Sequence, residues 1–119
     1  MQVYDYDKRP TRKSTCGSLR ESFTKEVGFA RAIMRKGLSV PHYHKKLTEY
    51  YLVLQGTGTL RIKLKNGELK NINLKPGIIV KIEPGEIHQS KSNNRLVVED
   101  VSTPAWTEKD EFTVDNSLF

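Results

Sequence analysis

A chain of 119 residues with 36% hydrophobic content, eight glycines and five prolines is sized for one domain with a modest core. Its longest strictly aliphatic runs, Leu52-Val53-Leu54 and Ile78-Ile79-Val80, are far too short to span a bilayer, and Asp5 and Asp7 break any signal-peptide pattern. A lone Cys16 permits neither an internal disulfide nor a cysteine-built zinc site, so a cytoplasmic protein with no membrane partner is expected. The net charge of +6 is uneven: the last 21 residues carry six acidic groups against one basic, while the basic residues upstream are scattered. No nucleic-acid signature accompanies them, and nucleic acid is not expected as a partner.

Residues 1–18 read as weakly structured, interrupted by Pro10 and polar from Thr11 to Ser18. Phe29 to Lys36 fits either a strand or a short helix, and Gly37 stops it in both cases. Thr48 to Gln55 is rich in aromatic and branched residues and predicts a strand. Thr59 to Lys65 alternates strictly, with Leu60, Ile62 and Leu64 on one face, and Asn66-Gly67 then supplies a hairpin turn. Further strands are predicted over 68–74, 78–82, 86–91 and 95–101, punctuated by Pro76-Gly77 and Pro84-Gly85. Short strands at this spacing predict an all-β sandwich or barrel.

Only three histidines occur. His42 and His44 stand two apart behind Pro41, which disfavours a helix, so on a strand both imidazoles face one side. Glu49 opens an otherwise apolar strand, where a carboxylate is costly unless a cation partners it. His88 follows the Pro84-Gly85 turn, at a distance that antiparallel strands can close. Three imidazoles and one carboxylate suit a single divalent transition metal, whether Fe, Mn, Ni, Cu or Zn, and do not suit calcium or magnesium. Four protein ligands leave open positions on an octahedral ion and close the shell of tetrahedral zinc.

These residues resemble the motifs of the cupin superfamily. The first motif is matched by Gly37, His42-Tyr43-His44, Glu49 and Gly56, with four residues instead of five between Gly37 and His42. The second is matched by Gly77, Pro84-x-x-x-His88 and Gly85, with Glu83 replacing a proline and the usual asparagine displaced to Asn93. The resemblance covers about residues 29–102 and implies a small double-stranded β-helix, the cupin or jelly-roll barrel, with His42, His44, Glu49 and His88 binding the metal. It divides a single domain, 1–119, into an N-terminal arm (1–18), a barrel core (29–102) and an acidic tail (103–119). It also implies a homodimer.

The family's reactions include sugar isomerisation, dioxygenation, decarboxylation and β-elimination, and neither fold nor ligands choose among them. The expected function is an enzyme acting on a small polar or anionic molecule. The alternative is a non-catalytic metalloprotein that binds a small molecule or braces its barrel. By strand parity Tyr51, Val53 and Gln55 share the face of Glu49, and Ser90 that of His88. Tyr51 is the candidate general acid or base, in a position similar to that of a tyrosine in the lyase branch of the cupins. Parity leaves open whether Arg31 or Arg35 faces the pocket, where either would clamp an anion. Cys16 reads as a packed small residue, and Trp106 as an anchor for the tail or an oligomer contact.

Overall fold

A computed structural model describes all 119 residues, apart from the side chains of residues 22 and 23. Twelve strands form two antiparallel sheets. The first sheet contains β1 (Arg12–Ser14), β2 (Gly17–Phe23), β3 (Gly28–Met34), β6 (Thr48–Gln55), β9 (Ile79–Ile82) and β11 (Leu96–Thr103), in the order β1-β2-β3-β11-β6-β9. The second contains β5 (His42–Tyr43), β7 (Gly58–Lys63), β8 (Leu69–Leu74), β10 (Ile87–Ser92) and β12 (Phe112–Thr113), in the order β12-β5-β10-β7-β8, with β4 (Gly37–Leu38) also pairing β10.

The alternating pattern of the sequence becomes the packing. Leu60 and Ile62 of β7 face Tyr51, Val53, Val98 and Ala32 of the other sheet, and all are buried. The ambiguous segment from Phe29 is a strand, with Ala30, Ala32 and Met34 inward. Arg31 is therefore on the outer face, where its Nε donates to Glu99 at 3.3 Å, and Arg35 is exposed. Neither arginine reaches the barrel interior.

Two expectations need correcting. Residues 1–18, read as weakly structured, carry β1 and the start of β2, which pair in register and extend the first sheet through Ser18↔Ile33 and Leu19↔Ala32. Gln55 does not share the inward face of Glu49. Val53 pairs with Val98 but Gln55 pairs with Val97, so Leu54 is an extra residue, a bulge that flips the parity beyond it. The corner that follows requires glycine. Gly56 has φ +84°, and a Cβ there would lie 2.2 Å from the Arg95 carbonyl oxygen.

The tail is also structured. Val114 N donates to the Pro41 carbonyl at 2.9 Å, and Gln89 Oε1 accepts from Ser117 Oγ at 3.1 Å and Leu118 N at 2.7 Å. Trp106 anchors locally, its Nε1 3.3 Å from Glu111 Oε1 and its ring under the Arg12 guanidinium.

Candidate metal centre

β5 and β10 are antiparallel partners with His42 directly opposite His88, which brings the two rings to 4.3 Å. His44 lies just beyond the end of β5, and the Pro84-Gly85 turn is docked to it, Gly85 N donating to the His44 carbonyl at 2.7 Å. Glu49 enters from the facing sheet, second residue of β6. The four residues are all at most 3% exposed, and one potential ligand atom from each lies within 4.8 Å of every other. The sequence thus places its three histidines and its misplaced-looking glutamate in one buried group.

Each ring is oriented by its other nitrogen. Nδ1 lies 2.9 Å from the Val40 carbonyl in His42, 2.7 Å from the Asp110 carbonyl in His44 and 3.0 Å from the Glu86 carbonyl in His88. A carbonyl only accepts, so Nδ1 carries a proton in all three, and in the neutral ring each Nε2 is a bare lone pair. His44 Nε2 contacts Glu49 Oε1, and His88 Nε2 lies 3.8 Å from the same oxygen. His44 Nε2, His88 Nε2 and Glu49 Oε2 have no hydrogen-bond donor and no solvent. Acceptors turned on acceptors in a dry pocket are costly unless a cation lies among them. This donor set fits a divalent transition metal.

The electrostatics of the metal-free chain agree. Burial, reinforced by His42, pushes the His88 imidazole down to about 3, so no proton competes for it at neutral pH. Burial alone would raise Glu49, but its close contact with His44 and the cationic forms of the three imidazoles outweigh it and hold the carboxyl at about 2. Burial also opposes a charge on His44, yet its contact with Glu49 raises it on balance.

A narrow cleft of about 40 Å³ reaches the group from the inner face of the first sheet, with Cys16, Glu49, Asp100 and Ser102 in its wall and Trp106 and Glu111 among the residues that line it. Tyr51 is on the same side as Glu49, its ring 6.0 Å from that of His88, and its hydroxyl is 3.6 Å from Cys16 Sγ. Burial, then the nearby Cys16 and Glu49, push the phenol well above its ordinary value. Cys16 is likewise raised by burial, to about 12, so it is an unreactive packed thiol.

Two residues of this region escaped the sequence reading. Asp110, in the acidic tail, takes its carbonyl to His44, while its carboxylate accepts from Lys45 N, Lys46 N and Leu47 N at 2.9–3.2 Å. Asp100 pairs with Tyr51 across the β11–β6 ladder and faces the cleft, and burial beside the Glu49 charge raises its carboxyl well above normal. Inward parity of Asp100 with Val98 was the one available signal for it.

No protein-family model matches the chain, nor does any curated protein. Solved structures do match. A protein from Planctomyces limnophilus aligns at TM-score 0.77 and 21% identity over 94% of this chain and 96% of its own. An oxalate decarboxylase variant of Bacillus subtilis aligns at TM-score 0.84 and 15% identity. The chain has the cupin barrel fold. It covers 32% of that decarboxylase, to which 93% of this chain aligns. Streptomyces PAC13 in a structure with uridine, a protein described as a nucleoside dehydratase, aligns at TM-score 0.79 and 15% identity over 97% of this chain and 92% of its own. The cupin-fold neighbours thus include enzymes of unrelated chemistry. Among the described residues of this chain, no helix is long and apolar enough to cross a membrane.

Proposed function

We propose that His42, His44, Glu49 and His88 bind one divalent transition metal, and that the chain is a metal-dependent enzyme acting on a small polar or anionic molecule. The observation that carries this reading is the orientation of the three rings. All three Nδ1 atoms are spent on backbone carbonyls, and His44 and His88 leave bare Nε2 atoms beside a buried carboxylate. Such an arrangement is preorganised for a cation and costly without one.

A bound cation would supply Lewis-acid polarisation of an oxygen-bearing ligand. The chain's own groups do the rest. Glu49 offsets the positive charge, and the cleft beside Asp100 and Ser102 admits only a small ligand and excludes bulk water. Tyr51, on the Glu49 face, is the group assigned to proton transfer, and Asp100 is a second proton-bearing carboxyl in the cleft wall. The tight cleft also favours a second reading, in which four protein ligands close the shell of a zinc ion that braces the barrel.

Native mass spectrometry and elemental analysis of gently purified protein test both. One metal per chain, lost in His88→Ala, supports the site, and absence of metal together with chelator-insensitive melting defeats it. Open coordination positions and a retained small molecule favour the enzyme, whereas closed four-coordinate zinc favours the brace. We also propose a homodimer, with a second copy covering Phe29, Tyr50 and Ile79, exposed on the outer face of the first sheet, where Phe29 and Tyr50 share a rung on either side of Val101 and Ile79 pairs with Leu52.

A further inference from the structure

The outer face of the first sheet carries a cleft of about 410 Å³ on the side of the sheet opposite the metal centre. Its floor is apolar, made by Ile33, Val97 and Leu54, the bulged residue of β6. Three arginines line it: Arg20 of β2, Arg31 of β3 and Arg95, which precedes β11. Thr11 and Tyr6 close one end, the Tyr6 ring lying under the Arg31 guanidinium at 5.2 Å.

The charges here do not balance. Arg20 and Arg31 are direct cross-strand partners, an arrangement that like charges disfavour. Glu99 relieves only Arg31, and its second oxygen is already taken by the Tyr6 hydroxyl. Arg20 has only Asp7, whose side chain is 84% exposed, as a counter-charge at 3.2 Å; its other terminal nitrogen donates to the neutral Thr11 Oγ1 at 3.3 Å, and its Nε is buried with no hydrogen-bond partner. Arg95 contacts the neutral Gln55 Oε1 at 3.3 Å. Two of the three guanidiniums therefore lack a sheltered counter-charge, and both adjoin an apolar floor large enough for a small ligand.

We propose that this cleft binds a small organic oxyanion, a carboxylate or phosphate monoester on an apolar body, at a site independent of the metal centre. The head displaces the exposed Asp7 carboxylate from Arg20 and is held between the guanidiniums of Arg20 and Arg95, and the body lies on Ile33, Val97 and Leu54. The bulge is then functional, because it turns Gln55 outward beside Leu54 to complete the cleft wall.

Calorimetric titration of the full chain at low ionic strength with phenyl phosphate, benzoate and inorganic phosphate tests this. Saturable binding is expected, with phenyl phosphate tighter than inorganic phosphate by about tenfold because its ring leaves water. Benzoate shows whether a carboxylate head serves as well as a phosphate. Arg95→Ala, an exposed position, should weaken phenyl phosphate by about tenfold while leaving the circular dichroism spectrum unchanged. Nuclear magnetic resonance provides a second measurement, with amide shifts expected at Ile33, Gln55 and Val97 and none at His42 or His88. The proposal is overturned by absence of saturable binding, by binding indifferent to Arg95→Ala, or by shifts centred on the histidines. Equal affinity for phenyl and inorganic phosphate would overturn the apolar half of the site.

Discussion

Asp110→Ala removes the carboxylate that gathers the 45–47 turn behind His44. Three backbone N–H groups lose their acceptor, from Lys45 at 2.9 Å, Lys46 at 3.1 and 3.2 Å, and Leu47 at 3.0 Å. They do not lose equally. Lys45 and Lys46 are exposed, so water can take over their amides and each forfeits about 1 kcal/mol. Leu47 is 1% exposed, so its amide is stranded at a cost of about 2 kcal/mol. The sum, about 4 kcal/mol, lowers the melting temperature of a domain this size by roughly 10–15 °C. The same change loosens the carbonyl that orients His44, and loss of such an outer partner costs about 10–100-fold in metal affinity. Thermal melting by circular dichroism and metal competition with a chromogenic chelator read the two effects separately. A fall in melting temperature below about 2 °C, with metal affinity unchanged, would refute the argument that the tail builds the site.

Gly56→Ala should destabilise by about 3 kcal/mol or more, since it combines φ +84° with a Cβ 2.2 Å from the Arg95 carbonyl oxygen; a denaturant midpoint equal to the parent's would contradict this. Metal-free protein should lose stability as pH falls below the unfolded histidine value of about 6.5, because the unfolded chain binds a proton that folded His88 refuses down to about 3. Glu49, held at about 2, adds to the loss between its ordinary 4.5 and that value; urea melts that stay flat from pH 7 to pH 4 would speak against the His88 contribution, and melts flat below pH 4 against that of Glu49. Once turnover is found, Tyr51→Phe should lower it about a hundredfold with metal retained while Tyr50→Phe is nearly silent, and near-parental turnover in Tyr51→Phe would make the residue part of the wall. Light scattering at micromolar concentration should give twice the 13.6 kDa chain mass, and a monomer mass would reject the dimer.

What the sequence made legible was local. Strict alternation over Thr59–Lys65 placed Leu60 and Ile62 inward, Asn66-Gly67 formed its turn with Leu64 N donating to the Glu68 carbonyl at 2.9 Å, and His-x-His put two imidazoles on one side. Parity also predicted Tyr51 and Ser90 as buried. It failed at Gln55, because a bulge is a property of two strands and only one was being read. Residues 12–18 read as weakly structured because β1 is held by pairing with β2, and β2 by pairing with β3, not by their own pattern. Asp110 was invisible for a related reason: an aspartate in an acidic tail reads as surface charge, and only tertiary contact turns it toward the 45–47 amides.

The histidine rings divide the same way. His42 and His88 each lie against a carbonyl two residues upstream, Val40 and Glu86, so their orientation follows from the local backbone around two short turns. His44 depends on Asp110, 66 residues away, and so on the tail being in place. Two of the imidazoles are thus set by local chain geometry and one by long-range closure, with Glu49 delivered from the opposite sheet. A cation that draws all four together would tie the tail, β5, β10 and β6 at a single point. Such a site links metal occupancy to the docking of the last segment of the chain, which holds His44 through the Asp110 carbonyl and pairs with His42 through Thr113.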